Sequence, residues 1–203
     1  MSLIIQKFLS PPLKNNNYVV ADTASKEAVL IDCSQGDNHV MEWARQNEFQ
    51  VKYILLTHGH FDHVLGVDYY HDHFGLEAYL YEKDIPLLER VNDYARWLGL
   101  KQLEIPRVKS FNLKTSFHVG SYPMEIIVTP GHTQGGVCYL IDGNLFSGDT
   151  LFYGTCGRTD LPESDDIKMQ KSLKKLFQKL PDETPVYPGH GVETTIGHER
   201  GLY

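Results

Sequence analysis

Apolar positions in this chain fall into short runs bounded by glycine, proline, asparagine and aspartate, which is the signature of β-strands and turns. "LIIQKFL" (3–9), "NYVVAD" (17–22) and "EAVLID" (27–32) predict an antiparallel meander, and "PPLKNNN" (11–17) reads as a turn between strands. "NHVMEWARQNEF" (38–49) places Val40, Trp43, Ala44 and Asn47 at helical spacing, a mostly apolar face. "VKYILLT" (51–57) is then nearly continuous in apolar character, as a strand buried on both faces should be. "YPMEIIVT", "GVCYLID", "NLFSG" and "TPVYPG" follow as further strands. "DDIKMQKSLKKLFQKL" (165–180) puts Met169, Leu173, Leu176, Phe177 and Leu180 on one helical stripe with lysines opposite, the pattern of a helix packed on a core. Residues 82–107 look helical and carry no obvious ligand, so packing is expected of them before a lid or substrate wall. Strands first, then strand–helix alternation, then more strands predict an α/β arrangement of sheets covered by helices in one domain, 1–203.

Composition narrows the function classes. The 203 residues suffice for a sizeable core, and 41% hydrophobic with 22% charged residues is ordinary globular usage. A formal charge of −7 argues against a nucleic-acid partner, which would demand a basic face. No apolar run reaches the ~18 residues of a membrane span, and the start has no secretory pattern. Cys33, Cys138 and Cys156 are an odd, widely spaced set that does not suggest a disulfide framework. These features together predict a cytoplasmic protein. Cys33 and Cys138 read as small core fillers within strands, and Cys156 as a loop residue near the site.

The chemistry gathers where strands end. "YILLT" runs into His58-Gly59-His60, "EIIVTP" into Gly131-His132, "NLFS" into Gly148-Asp149 and "PVYP" into Gly189-His190. In sheets with helical crossovers, ligand sites form outside the carboxyl ends of strands. The densest cluster is His58-x-His60-x-Asp62-His63. If the chain stays extended, positions 58, 60 and 62 project to one side, and His63 turns away at the start of the helix "VLGVDYYHDHF". One short loop can then feed two adjacent metal ions. Imidazole and carboxylate without thiolate suit zinc, iron or manganese. Seven His/Asp candidates exceed what one closed structural site needs, which favours a two-metal catalytic centre. The scattered His39, His71, His73, His118 and His198 read as solvated or hydrogen-bonded residues.

"THGHFDH", "PGHT", "SGDTLF" and "PGHG", in that order, resemble the motifs of the metallo-β-lactamase superfamily over most of the chain. The resemblance implies a four-layer αβ/βα sandwich, two mixed sheets flanked by helices, with metals at one edge. It implies His58, His60 and His132 on one ion, Asp62, His63 and His190 on a second, and Asp149 bridging, with zinc ahead of iron or manganese. A water between two cations loses its proton near neutral pH, and Asp62 would orient the hydroxide. No general acid is evident, which suits a thiolate leaving group of pKa about 8.5.

"FYGTCGRTDLPESD" and "PGHGVETTIGHER" resemble the glyoxalase II-like group, whose reference substrate is the thioester S-D-lactoylglutathione. Cys156-Gly157-Arg158 is similar to that group's Cys-Gly-Lys loop, so Arg158 is the candidate substrate-binding residue; a salt bridge to Asp160 is its structural alternative. The chain departs from the group in lacking the C-terminal helical glutathione-binding domain and the tyrosine that follows the triplet. "CGRTD" also resembles persulfide dioxygenases, where one iron would be held by His58, His132 and Asp149, and a metal-bound scaffold without activity is a third reading. The expected partner is a small-molecule thioester, with glutathione as one thiol, and neither a nucleic acid nor a membrane. Acyl and thiol specificity, metal identity and oligomeric state are left open by the residues.

Overall fold

The computed structural model describes residues 2–11, 13–97, 99 and 102–203. The first half supplies β1 (Leu3–Ser10), β2 (Asn15–Asp22), β3 (Glu27–Ile31), α1 (His39–Gln46), β4 (Gln50–Leu55), α2 (Phe61–Val64), α3 (Val67–Phe74), β5 (Ala78–Tyr81), α4 (Ile85–Leu88), α5 (Val91–Trp97) and β6 (Val108–Phe111). The second half supplies β7 (Phe117–Val119), β8 (Tyr122–Val128), β9 (Val137–Ile141), β10 (Asn144–Gly148), a small hairpin of β11 (Leu151–Phe152) and β12 (Thr155–Cys156), α6 (Asp166–Lys179), β13 (Pro185–Pro188), β14 (Thr194–Thr195) and α7 (Ile196–Arg200).

Strands β1 to β6 lie side by side in sequence order, the first three antiparallel and the rest parallel. Each parallel step needs a crossover, and α1, then α2 with α3, then α4 with α5 provide them. The second sheet runs β14-β13-β10-β9-β8-β7, antiparallel except for β10 beside β13, where α6 makes the crossover.

Alternation along the central strands sets the layers. In β2 and β3, Val19, Ala21, Ala28 and Leu30 point into a cluster with Val40 and Ala44 of α1 and Val67 and Tyr70 of α3. Their neighbours Tyr18, Val20, Val29 and Ile31 face the opposite way, onto Phe117, Tyr139 and Phe146 of the second sheet. The far side of that sheet, including Ile127, Cys138 and Leu145, packs on Met169, Leu173 and Leu176 of α6. The result is helix, sheet, sheet, helix, the four-layer arrangement expected from the motifs.

Three segments differ from their sequence reading. Residues 15–17 are not part of the turn: all three asparagines begin β2 and are buried. The turn is confined to what precedes them. Residues 82–107 form a short 3₁₀ turn, α4 and α5 rather than one long helix. Residues 102–107 are irregular, and 98, 100 and 101 lie outside the described residues. The expected helix 64–74 is broken at Leu65–Gly66, where the Gly66 N–H donates to the Cys33 carbonyl at 2.7 Å. A Cβ at Gly66 would lie 2.8 Å from that carbonyl oxygen, so only glycine permits the approach. Cys33 itself sits just beyond β3 and Cys156 on β12, and all three cysteines are free. Among the described residues no helix is long and apolar enough to cross a membrane.

Candidate metal centre

All seven His and Asp candidates meet at the carboxyl ends of β4, β8, β10 and β13. The chain is extended only as far as His60; Phe61–Val64 is a helical turn, which carries Asp62 away from His58 and His60. This corrects the expectation that 58, 60 and 62 project to one side. The turn divides the motif between one group of ligand atoms formed by His58, His60 and His132 and another formed by Asp62, His63 and His190, and a third set, His58, His63 and Asp149, links the two. Asp149 lies between them, with Oδ2 3.4 Å from His132 Nε2 and 3.6 Å from His190 Nε2, and Oδ1 3.4 Å from His63 Nε2.

Hydrogen bonds fix which ring nitrogen carries each proton, because carboxylates and carbonyls only accept. His132 Nδ1 donates to the Arg158 carbonyl at 2.9 Å, leaving a lone pair on Nε2. His60 Nε2 donates to Glu163 Oε1 at 2.8 Å, leaving its lone pair on Nδ1. Thr57 Oγ1 donates to Asp32 Oδ2 at 2.8 Å and therefore accepts from His58 Nδ1 at 3.0 Å. The His58 Nε2 lone pair is then buried with no partner. His60 Nδ1 and His132 Nε2 face each other at 2.9 Å, lone pair against lone pair. That contact is repulsive unless a proton or a metal cation sits between, and with the unpartnered His58 Nε2 converging on the same point the first group fits a metal ion by the chemistry of its donors.

The second group shows the same logic. His63 Nδ1 donates to Asp32 Oδ2 at 2.8 Å, which leaves Nε2, 3.4 Å from His190 Nε2, as the nitrogen that would ligate once its proton is displaced. Asp62 Oδ2 lies 3.4 Å from His190 Nε2 and accepts from Asn15 Nδ2 at 2.8 Å. Burial opposes the ionisation of Asp62, but the His63 imidazole and hydrogen bonds from His190 and Asn15 outweigh it, and its carboxyl is held well below the usual range. Burial likewise opposes ionisation of Asp149 and is overcome, chiefly by His63. Burial pushes His58 well below histidine's ordinary value, and the neighbouring imidazoles add to this; His132 is lowered by burial too. Burial opposes a charge on His63 and His190 too, but there the carboxylates win. Asp149, Asp32 and Asp62 hold His63 well above histidine's ordinary value, and Asp62 and Asp149 raise His190, so a divalent cation at the second group would have to displace those protons.

Several residues that hold this site escaped sequence reading. Asp32 accepts from the Thr57 N–H at 2.8 Å as well as from Thr57 Oγ1 and His63, joining both groups through one carboxylate. Asn16 N donates to the Gly189 carbonyl at 2.7 Å, and Asn16 Nδ2 to the carbonyls of Pro188 and Gly191 at 2.9 Å, pinning the loop that carries His190. Three consecutive buried asparagines opening an otherwise apolar strand were the available signal. Gly189 leaves room for the cage: a Cβ there would lie 2.3 Å from Asp149 Oδ1 and 2.8 Å from His63 Cε1.

A cleft of roughly 620 Å³ opens over the site, walled by Leu13, Phe61, Tyr94, Leu161 and Pro162, with Arg90 and Arg158 also on its lining. Residues 82–107 thus contribute a wall through α5, more than packing. Arg158 reaches the lining, but its guanidinium forks onto Asp160, Nε to Oδ1 at 2.7 Å and a terminal nitrogen to Oδ2 at 2.8 Å. The expected His39, His71, His73, His118 and His198 take no part in the cage.

Residues 10–190 match the model of the metallo-β-lactamase superfamily, and the chain belongs to that superfamily. It is 33% identical over 181 residues to the hydroxyacylglutathione hydrolase GloC of Haemophilus influenzae, covering 86% of this chain and 85% of that protein. It is 30% identical over 190 residues to PksB of Bacillus subtilis, a probable polyketide biosynthesis zinc-dependent hydrolase, covering 93% and 79%. The crystal structure of TTHA1623 in a di-iron-bound form superposes with a TM-score of 0.83 at 34% identity, over 96% of each chain.

Proposed function

We propose that the protein is a metal-dependent thioester hydrolase of glyoxalase II type, with S-D-lactoylglutathione as the reference substrate. In this reading His58, His60 and His132 hold one divalent ion, Asp62, His63 and His190 a second, and Asp149 both, with zinc as the working metal. The observation that carries it is the convergence of imidazole lone pairs, one buried without a partner and two facing each other at 2.9 Å. The relatives named as hydrolases, one of them zinc-dependent, support the reaction class; the di-iron structure keeps iron as the competing metal.

When bound, the metal pair supplies an acidified water and a Lewis acid for the carbonyl oxygen. The protein's own part is orientation. Asp62 is kept ionised and Asn15 donates to its Oδ2, so the carboxylate would be fixed beside the second ligand group, where it could accept a hydrogen bond from a water and orient it. The apolar walls of Leu13, Phe61, Tyr94, Leu161 and Pro162 would hold the acyl and thiol portions above the cage. Among the described residues lining the cleft there is no lysine, and the Tyr94 hydroxyl is committed to Glu163. A leaving group that departs unprotonated fits such a site, and a thiolate does so where an amide nitrogen does not. The reading covers the chain as one domain, acting in a reducing cytosol, where its three unpaired cysteines are at home.

The test is a substrate panel on zinc-loaded protein: S-lactoylglutathione, other acyl thioesters, a β-lactam, a phosphodiester and glutathione persulfide, the last with oxygen consumption recorded. Thioester cleavage at rates well above the others is expected. Oxygen uptake on persulfide without thioester cleavage would replace the hydrolase with a dioxygenase.

A further inference from the structure

Of the three imidazoles in the first group, two are anchored by the layers beneath the site: His58 through Thr57, and His132 through the backbone of residue 158. His60 is anchored from the outer side, by the Glu163 carboxylate, which is held in turn by Arg90 and Tyr94 of the cleft wall. Glu163 Oε1 accepts from His60 Nε2 at 2.8 Å, and the two side chains are only 6% and 9% exposed. The same carboxylate accepts from Arg90 at 3.0 Å through Oε2 and from the Tyr94 hydroxyl through Oε1. Its backbone carbonyl accepts from Gln134 Nε2 at 2.6 Å, and Ser164 Oγ donates to the His132 carbonyl at 2.7 Å, so the segment bearing Glu163 is tied down on the His132 side as well. Tyr94 in turn stacks on Phe61, ring centroids 6.1 Å apart and planes 14° apart, and meets the His60 ring edge-on at 5.5 Å.

We propose that Glu163 is the positioning residue of the first metal site: it keeps the proton on His60 Nε2 and thereby aims the Nδ1 lone pair at the point where His58 and His132 also aim. The inference rests on His60 being a ligand, as proposed above. A neutral imidazole has one N–H and one lone pair, and its two tautomers are close in energy when nothing selects between them. With the proton on Nδ1, His60 would place a hydrogen where the ion belongs. A carboxylate acceptor at Nε2 selects the ligating form, and it also stops the ring from rotating about its bond to Cβ. Water could not substitute well, because His60 is nearly sealed from solvent. Arg90 and Tyr94 complete the device by giving Glu163 two further donors, which hold the carboxylate in place and couple α5 to the metal site.

Zinc binding and imidazole ¹⁵N spectra test this without reference to turnover. In zinc-loaded wild-type protein, His60 should show a protonated, slowly exchanging Nε2 and a metal-shifted Nδ1. Competition with a chromophoric chelator should show that Glu163→Ala weakens one of the two zinc ions by ~10–100-fold while the other binds as before. Glu163→Gln keeps an acceptor oxygen for Nε2–H and should restore affinity to within a few-fold. Wild-type affinity for both ions in Glu163→Ala, with His60 Nδ1 still ligating, overturns this inference and leaves the metal cage standing. His60 nitrogens that do not shift with zinc overturn both together. The wild-type spectrum decides the matter even where Glu163→Ala does not fold, since a protonated Nδ1 contradicts the proposal directly.

Discussion

Asp32→Asn is the sharpest probe of the cage because it changes one atom at the point where both ligand groups meet. Asp32 is buried, and its two oxygens take three donors: Oδ1 the Thr57 N–H, Oδ2 the Thr57 hydroxyl and His63 Nδ1–H. The residue has φ of 57°, a left-handed conformation that asparagine tolerates as well as aspartate, so backbone strain does not confuse the result. The new amide has one acceptor oxygen. If that oxygen stays with the Thr57 N–H, the NH₂ faces two former donors. Thr57 can reverse and accept, but His63 can accept only by moving its proton to Nε2, where the second ion should bind. A hydrogen bond to a charged group is worth about 1.5–3 kcal/mol, so folding stability should fall by about that amount. Affinity for one of the two zinc ions should drop by ~10–100-fold, the usual effect of removing a carboxylate behind a ligating histidine. Urea unfolding of the zinc-free variant and chelator competition on the loaded one measure the two effects separately. An Asp32→Asn protein with both zinc affinities and stability unchanged would show that this carboxylate does not set the His63 tautomer, and the derivation of the second group would fail.

Asn15→Ala removes the N–H that occupies Asp62 Oδ2 at 2.8 Å, and should cost about 1.5–3 kcal/mol in stability and lower kcat more than it changes KM, measured by denaturant titration and steady-state kinetics. Gly189→Ala puts a methyl 2.3 Å from Asp149 Oδ1, so zinc stoichiometry by mass spectrometry should fall below two while the far-ultraviolet spectrum stays native. Arg158→Ala breaks only a surface ion pair whose side chains are 55% and 69% exposed, so the melting temperature should not move. If Arg158 meets an anionic thiol, KM for S-lactoylglutathione should rise with kcat held; a loss of kcat alone would assign it another role.

How much of this was legible in the sequence follows from the range of each interaction. Strand alternation and strand-terminal His and Asp are local, and they mark β1 to β4, β8 to β10, β13, α1 and α6 as well as the seven His and Asp side chains that converge. The edge strands β7, β11, β12 and β14 are only two or three residues long, too short for periodicity to register. The sequence puts Asn15 and Asn16 in a turn, and Asn17 both in that turn and at the start of a strand, because asparagine favours turns. Here Asn16 reaches the Pro188 and Gly191 carbonyls, more than 170 residues away, Asn15 reaches Asp62 and Asn17 reaches Ser10 and Ser34, and these tertiary contacts override local preference. Asp32 looked like the end of a strand, since nothing nearby hints that Thr57 and His63 will converge on it. Glu163 was hidden for the same reason: its partners His60, Arg90 and Tyr94 come from two other segments. The proton placement on each histidine could emerge only once those partners were known.

The measurement that bears most directly on the whole account is anomalous diffraction from crystals of the zinc-loaded protein, recorded on both sides of the zinc edge. Two peaks are expected, one enclosed by His58 Nε2, His60 Nδ1 and His132 Nε2, the other by Asp62, His63 and His190, with Asp149 reaching both. A single peak, or ions bound away from these seven side chains, would contradict it.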